Sequence, residues 1–410
     1  MSLVKRWMDE LEERGFGEIT DVLCTAHIVD DYLQGILVTE LTAGHCFVCG
    51  QYADNQAPAE AILYRMMPIL RRDLEPAHDP FAAFETSDIL SNYFDDVFAG
   101  DVSDEIMERF SSVVTSTDWN DRNWLGPYGE SDHFSPAAGW GQFSDLVQHT
   151  SRFIFLKGSD TRLPDGGPSA AYFVEDFKQM IRQHSNRLVR RLDLGEPLYR
   201  GRLIGRLSQA QRLAKAQELG AAPSEHAGAN RMSPAGIPMF YASGDPETAV
   251  AEIAAHDAQQ RELAIVGAFR ATRRLVVLDV HPDNLDLPSA FDQSRAEERN
   301  HFGFLRAFAS DITRPIRLDG REHREYAPTQ VLTELVRWLP NPHIDGIRMR
   351  SAQTGRPTYV LFFGRDDATD HASPDHDDVP LTLKVEDIDV YRIRRRVESE
   401  PALRALWTPE

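Results

Sequence analysis

Short apolar runs broken by polar turns fill the C-terminal half of this chain, whereas the N-terminal half reads in longer helical periods. Leu198–Gly205, Ala264–Phe269 and Leu275–Val280 are short and apolar enough to be strands. Ile344–Arg350 and Thr358–Phe363 read as a pair joined by the turn at Ala352–Pro357, and Val385–Ile393 as a final edge strand. Between them the pattern predicts a long helix over about Ser294–Phe308. A second begins after Pro328 and buries Val331, Leu332, Leu335 and Val336. Short strands alternating with helices in this way predict an α+β domain with a mixed or antiparallel core.

Earlier in the chain, Ile62, Leu63, Met66, Met67 and Leu70 fall at helical spacing within a region, Ala57–Tyr93, that reads as helical. The aromatics Trp119, Trp124, Tyr128, Phe134, Trp140 and Phe143 read as core residues rather than as a platform for bases. Gly, Pro, Ser and Asp cluster in Lys157–Phe173, which reads as a linker, and a basic helix is predicted over Val174–Leu194. The divisions expected are 1–56, 57–194, 195–395 and a tail at 396–410.

One stretch, Asn230–Ile253, reads as a single mechanical unit. A turn at Ser233–Gly236 leads into a short apolar strand near Met239–Ala242, and Ser243-Gly244 breaks it. Asp245 then suits a helix N-cap, Pro246 the first helical position and Glu247 the first turn, where the helix dipole favours a carboxylate. Ala249, Val250 and Ile253 give that helix its apolar face. Arg231, Tyr241 and Glu252 stand out along this path as chemically able side chains.

All three cysteines sit in one pattern: Cys24 with His27, and Cys46 with Cys49, each pair with two residues between its members and 18 residues between the pairs. Such pairs can each grip a metal from one turn, which suits a tetrahedral zinc site; four protein ligands leave no open position, so the zinc would be structural. The competing reading is a set of unrelated buried thiols. The aspartates and histidines of Asp366–Asp378 are of metal-binding types too, yet the run has the composition of a mobile acidic loop. Arg72 and His78 have the loose spacing of a HEPN ribonuclease pair, but Pro76 between them would break the helix that such an enzyme needs.

The chain has 410 residues, 42% of them hydrophobic and 26% charged, as in an ordinary soluble protein of two or three domains. No apolar run approaches the roughly 18 residues of a membrane span. The N-terminus, a charged helical segment, lacks a signal-peptide core, so a cytoplasmic location is expected. The net charge of −20 argues against non-specific nucleic-acid binding. It leaves room for a small anionic ligand in an arginine-lined pocket.

The ordered set Arg231, Gly236-Ile237-Pro238, Tyr241, Pro246-Glu247-Thr248-Ala249 and Glu252 resembles the RES domain. The resemblance extends over about 195 to 395. Tyr199-Arg200-Gly201-Arg202 resembles that family's opening strand, Tyr326, Thr329 and Gln330 its Tyr-x-Pro-Thr-Gln region, and Ser351 the serine that completes its Arg-Glu-Ser signature. Two arginines flank Gly201, and Arg200 fits the family's phosphate-holding arginine better. The resemblance implies a fold similar to ADP-ribosyltransferases and a toxin that degrades NAD, with a helix-turn-helix antitoxin as partner of the short members. The N-terminal third resembles the HEPN-associated region that precedes the RES domain in longer members, and it could restrain or trigger the toxin.

The resemblance makes Arg200, Tyr241, Glu252 and Ser351 the catalytic candidates and Arg200, Arg202, Arg231, Tyr241, Tyr326 and Gln330 the NAD-binding ones. The residue types suit that chemistry. Guanidinium groups bind phosphate oxygens in bidentate fashion, and cleavage of the nicotinamide–ribose bond builds positive charge that a carboxylate stabilises. Nicotinamide is a good leaving group, so no further cofactor is expected. By resemblance the acceptor is inorganic phosphate. Water would make the protein a glycohydrolase and a macromolecule would make it an ADP-ribosyltransferase; a non-enzymatic nucleotide-binding module is the remaining reading.

Overall fold

The computed structural model describes residues 10, 13–73, 75–76, 90–91, 93–114, 124–125, 136–150, 152, 170–255, 257, 259–314, 322–339, 341–372 and 379–394. Most of the expected linker and of the N-terminal charged segment, together with His78 and the tail, lie outside them. The chain divides into two compact units, Met1–Met180 with Leu285–Phe308, and Ile181–Asn284 with Ala309–Glu410.

The first unit opens with a small sheet of β1 (Val22–Leu23), β2 (Thr42–His45) and β3 (Tyr52–Pro58), in the order β1-β3-β2. Helix α1 (Asp31–Leu37) is capped by Asp30, whose side chain accepts the Leu33 amide at 2.7 Å. Helix α2 (Ala59–Asp73) follows β3 directly and buries Ile62, Leu63, Met66, Met67 and Leu70, as their spacing predicts. The region read as helical from Ala57 thus begins on a strand and turns helical at Ala59. A two-residue ladder pairs β4 (Glu75–Pro76) with β5 (Trp124–Leu125). Helices α3 (Ser103–Ser111), α4 (Pro136–Asp145) and α5 (Ala170–Gln183) complete the unit up to Met180.

Residues 285–308 join this unit although they are far away in sequence. Arg299 grips Asp96 through two hydrogen bonds, 3.0 and 2.8 Å, and the rings of Phe94 and Phe291 stack at 5.7 Å. Trp140 meets Phe143, Phe304 and Phe308 within 6.2 Å of centroid separation, so at least these aromatics of the expected set are core.

The second unit is built on a nine-stranded mixed sheet: β6 (Val189–Leu192), β7 (Pro197–Ile204), β8 (Phe240–Ser243), β9 (Leu263–Ala271), β10 (Leu275–Asp279), β11 (Gly346–Arg350), β12 (Pro357–Leu361), β13 (Ala368–Asp370) and β14 (Leu381–Arg392). Their order is β13-β14-β9-β7-β8-β12-β11-β10-β6, with β10/β11 and β13/β14 parallel and the other pairs antiparallel. Helices α6 (Pro246–Ala255), α7 (Ala296–Thr313, whose residues to Phe308 belong to the first unit) and α8 (Ala327–Arg337) are the main helices after β8. The fold is α+β. No helix among the described residues is long and apolar enough to cross a membrane.

Three expectations change here. The basic helix expected to reach Leu194 ends earlier, and Val189–Leu192 forms β6, with Leu192 buried opposite Leu275. Arginine favours helices intrinsically, but the tertiary partner decides. The strand near Val385–Ile393 begins earlier, at Leu381: among the described residues Ile388–Arg392 pair with β9 alone, as an edge does, while Leu381–Leu383 are also paired on their other side, by β13. Beside Leu381–Leu383 the edge is β13, drawn from the run read as a mobile acidic loop, where Ala368 is buried and the Asp370 carboxylate accepts the Ala216 amide at 2.8 Å.

Candidate active site and metal centre

Strand alternation decides which side chains of β7 can meet. A Cβ added at Gly201 would lie 3.0 Å from Ile253 Cδ1 on α6 and 3.2 Å from Val266, so Gly201 faces α6 and its lack of a side chain lets the helix close on the strand. Arg200 and Arg202, one residue to either side, therefore share the opposite face. There the Arg200 Nε donates to the carbonyls of Leu219 (2.9 Å) and Gly220 (3.0 Å), and its ring neighbour is Phe240, 5.2 Å from the guanidinium carbon. Arg202 donates to the same Gly220 carbonyl at 3.2 Å, while its buried Nε has no partner among the described residues.

Tyr199 registers with Ser243, which puts Tyr241 on the Gly201 face, alongside α6. Arg200 still reaches this residue, since its Nη1 donates to the Tyr241 carbonyl at 2.5 Å. Burial lowers the Arg200 guanidinium to about 10, with Arg202 pushing the same way, so it remains charged at neutral pH. Burial pushes the Tyr241 phenol up to about 12, outweighing Ser233 and Arg200, and keeps it neutral. The Tyr241 hydroxyl lies 2.9 Å from Ser233 Oγ.

The turn carrying Arg231 and Ser233 is fastened by α8. Gln330 Nε2 donates to the carbonyls of Asn230 (2.7 Å) and Ser233 (3.2 Å), and Thr329 Oγ1 donates to the Arg231 carbonyl at 2.5 Å. Arg231 itself donates to the Asp311 and Arg314 carbonyls and stands 5.8 Å over the Tyr326 ring. Gln330 is thus engaged with backbone. Thr333 completes the clamp through Met232 Sδ at 3.5 Å; neither its role nor that of Ser233 had a signal in the sequence beyond being small and polar.

Asp245 caps α6: its carboxylate accepts the Thr248 amide and hydroxyl, each at 2.8 Å. Burial alone would raise the Asp245 carboxyl, but these donors and Arg356 hold it below the usual range. Two turns on, the Glu252 carboxylate accepts the hydroxyl of Ser351, which is 2% exposed and just past the end of β11. Ser351 Oγ also accepts the amides of Gln353 (3.1 Å) and Thr354 (3.2 Å). Glu252 and Ser351 are therefore brought together, and β11 shares through β12 the face that carries Tyr241.

In the first unit, the donor atoms of Cys24, His27, Cys46 and Cys49 all lie within 4.8 Å of one another. Both pairs sit on tight turns: the His27 amide donates to the Cys24 carbonyl at 2.9 Å, and the Gly50 amide to the Cys46 carbonyl at 2.8 Å, with Gly50 at φ +70°. Burial, then Cys49 and Cys46 beside it, pushes the Cys24 thiol up to about 11.

Two family models match the chain: RES domain over residues 206–384, and HEPN/RES N-terminal domain 1 over 39–161. Comparison with curated proteins and with solved structures finds no match. The RES match spans α6, α8 and every candidate residue named in the second unit except Arg200 and Arg202, so this is a RES-domain protein of the long form, belonging to a family of toxin type that acts on NAD, with a HEPN/RES N-terminal domain ahead of the RES domain.

Proposed function

We propose that the protein degrades NAD by cleaving its nicotinamide–ribose bond, with inorganic phosphate as acceptor, in a domain of ADP-ribosyltransferase type spanning about 195–395. The observation that carries this reading is the contact between Glu252 and Ser351 on the face of the sheet that also bears Tyr241. As the C–N bond breaks, its electron pair moves to the nicotinamide nitrogen and neutralises the pyridinium, while positive charge grows on the ribose carbon. The Glu252 carboxylate stabilises that charge. A phosphate oxygen then bonds to the same carbon, giving nicotinamide and ADP-ribose phosphate.

Ser351 would fix the carboxylate and orient a ribose hydroxyl or the incoming oxygen. Tyr241, neutral and anchored by Ser233, offers an aromatic face and a hydroxyl rather than a base. Arg231 shares its turn with Ser233, the partner of Tyr241, and has Tyr326 beneath it; it would hold NAD phosphates on exchanging its carbonyl partners. Arg200 acts through the Tyr241 carbonyl that it holds. Strands β7 and β8 register through the single pair Tyr199–Ser243, and this reading places the ligand cleft beside that short ladder.

The test incubates the purified chain with NAD, with and without inorganic phosphate, and follows nicotinamide release and the phosphorus spectrum. Phosphate-dependent release yielding ADP-ribose phosphate is expected. Equal release without phosphate would replace the proposal by hydrolysis, and label retained on protein or nucleic acid by ADP-ribosyl transfer. Glu252→Ala should abolish turnover in each case.

A further inference from the structure

The Cys/His cluster lies outside the NAD chemistry, and its surroundings explain why the fold would need it. Strand β2 (Thr42-Ala43-Gly44-His45) has no buried residue, and β3 buries only Gln56 and Ala57. Strand β1 is two residues long. The β2–β3 hairpin thus brings little apolar surface of its own, and Leu23 of β1 and Ala57 of β3 are the strand residues that join the apolar core of the unit. Near the turns Val22 lies over Gly44, where a Cβ would come within 2.6 Å of Val22 Cγ2.

The donor set is that of a thiophilic, tetrahedral cation. Cys24 and Cys49 Sγ stand 3.5 Å apart, far beyond the ~2.0 Å of a disulfide and near the ~3.8 Å edge of a tetrahedron with ~2.3 Å metal–sulfur bonds. The Cys24 amide donates to Cys46 Sγ at 3.3 Å, the outer-shell bond that a thiolate ligand receives. His27 Nε2 is buried and has no hydrogen-bond partner among the described residues, as expected of a lone pair kept for a metal. All three cysteines of the chain are in the set.

We infer that Cys24, His27, Cys46 and Cys49 hold one zinc ion in a closed structural site that clips the end of β1 to the β2–β3 hairpin. Four protein donors leave no coordination position for substrate, so the ion stabilises and does not catalyse. Because such ligands assemble only in the folded sheet, binding free energy becomes folding free energy. The matched HEPN/RES N-terminal domain begins at residue 39 and therefore includes only the second pair; the chain supplies the first pair from upstream.

The experiment uses the full chain, purified without chelators or added metal. Elemental analysis should find about one zinc per chain, released when a mercurial blocks the thiols. Cobalt exchanged into the protein should give the visible bands of tetrahedral thiolate coordination. His27→Cys should keep the metal and strengthen the sulfur-to-cobalt band, whereas Cys49→Ser should release it. His45→Ala should change neither, since His45 instead lies 3.1 Å from the Gly50 carbonyl. A folded chain with neither zinc nor a cobalt spectrum would overturn the inference, and so would a Cys24–Cys49 disulfide in the native protein. Should Cys49→Ser fail to fold, the cobalt spectrum of His27→Cys decides alone: an unaltered band would remove His27 from the set.

Discussion

The Ser351 hydroxyl donates to the Glu252 carboxylate while it accepts the amides of Gln353 and Thr354. Its lone pairs are thus held by the turn after β11, and its proton is directed at one carboxylate oxygen. The partner of Glu252 here is a neutral hydroxyl rather than a cation, an arrangement that holds a carboxylate in place for positive charge growing on a sugar. Glu252→Gln keeps the shape and removes the charge, so nicotinamide release should fall about 10²–10³-fold. Ser351→Ala leaves the charge but frees its rotamer, and a fall of about 10-fold or more is expected. Circular dichroism should be unchanged in both; a loss of fold in place of rate would make the pair structural.

Tyr241 and Ser233 form a second pair, with Tyr241 half-buried on the same face and Ser233 buried. Tyr241→Phe and Ser233→Ala each strand the other hydroxyl, at about 1–3 kcal/mol. The double variant removes both groups, so its destabilisation should fall short of the sum of the two. Urea unfolding of the four proteins measures this coupling. Additive effects would mean that the two hydroxyls do not interact.

Gly201 is where α6 meets the sheet. A new Cβ there would sit 3.0 Å from Ile253 Cδ1, 3.2 Å from Val266 Cγ2 and 3.3 Å from the Ile265 carbonyl. Ile253 can yield and the strand backbone cannot, so Gly201→Val should cost about 1–3 kcal/mol. Ile253→Ala in the same chain should recover part of that, because it removes the side chain being displaced. Since α6 carries Glu252, turnover should fall with Gly201→Val even at temperatures where the protein stays folded.

These sites show what a sequence discloses. The start of α6 was legible because Asp245, Pro246 and Glu247 act within one turn. The strands β7, β9 and β10, the β11–β12 pair and the grouping of Cys24, His27, Cys46 and Cys49 were legible for a similar reason, as local periodicity or spacing. Alternation could equally have shown that Arg200 and Arg202 share one face, but not that α6 covers the other. Long-range partners left no local trace. Val189–Leu192 became a strand through Leu275, β13 through Leu381, and Phe291 and Arg299 joined the first unit through Phe94 and Asp96. The engagement of Gln330 with the carbonyls of Asn230 and Ser233 belongs to the same class.

Asp245 gives the fold an acid-sensitive point. Its carboxylate holds the Thr248 amide and hydroxyl and receives Arg356 Nη1 at 3.2 Å, and these donors outweigh burial, so its carboxyl is lowered from the usual 3.8. A carboxyl lowered on folding adds stability that is complete above its unfolded value and disappears as pH falls through its folded value. The cap should therefore contribute fully at pH 7 and fail below about pH 4. Asp245→Asn can still accept the Thr248 amide, as asparagine caps well, but it carries no charge for Arg356 or the helix dipole. It should lower the unfolding temperature modestly at pH 7 and by progressively less as pH falls below about 4, since the native carboxylate loses its contribution as pH falls toward and through its lowered folded value. Unfolding curves of both proteins across this range provide the check. An equal deficit across the range would mean that shape, not charge, makes the cap.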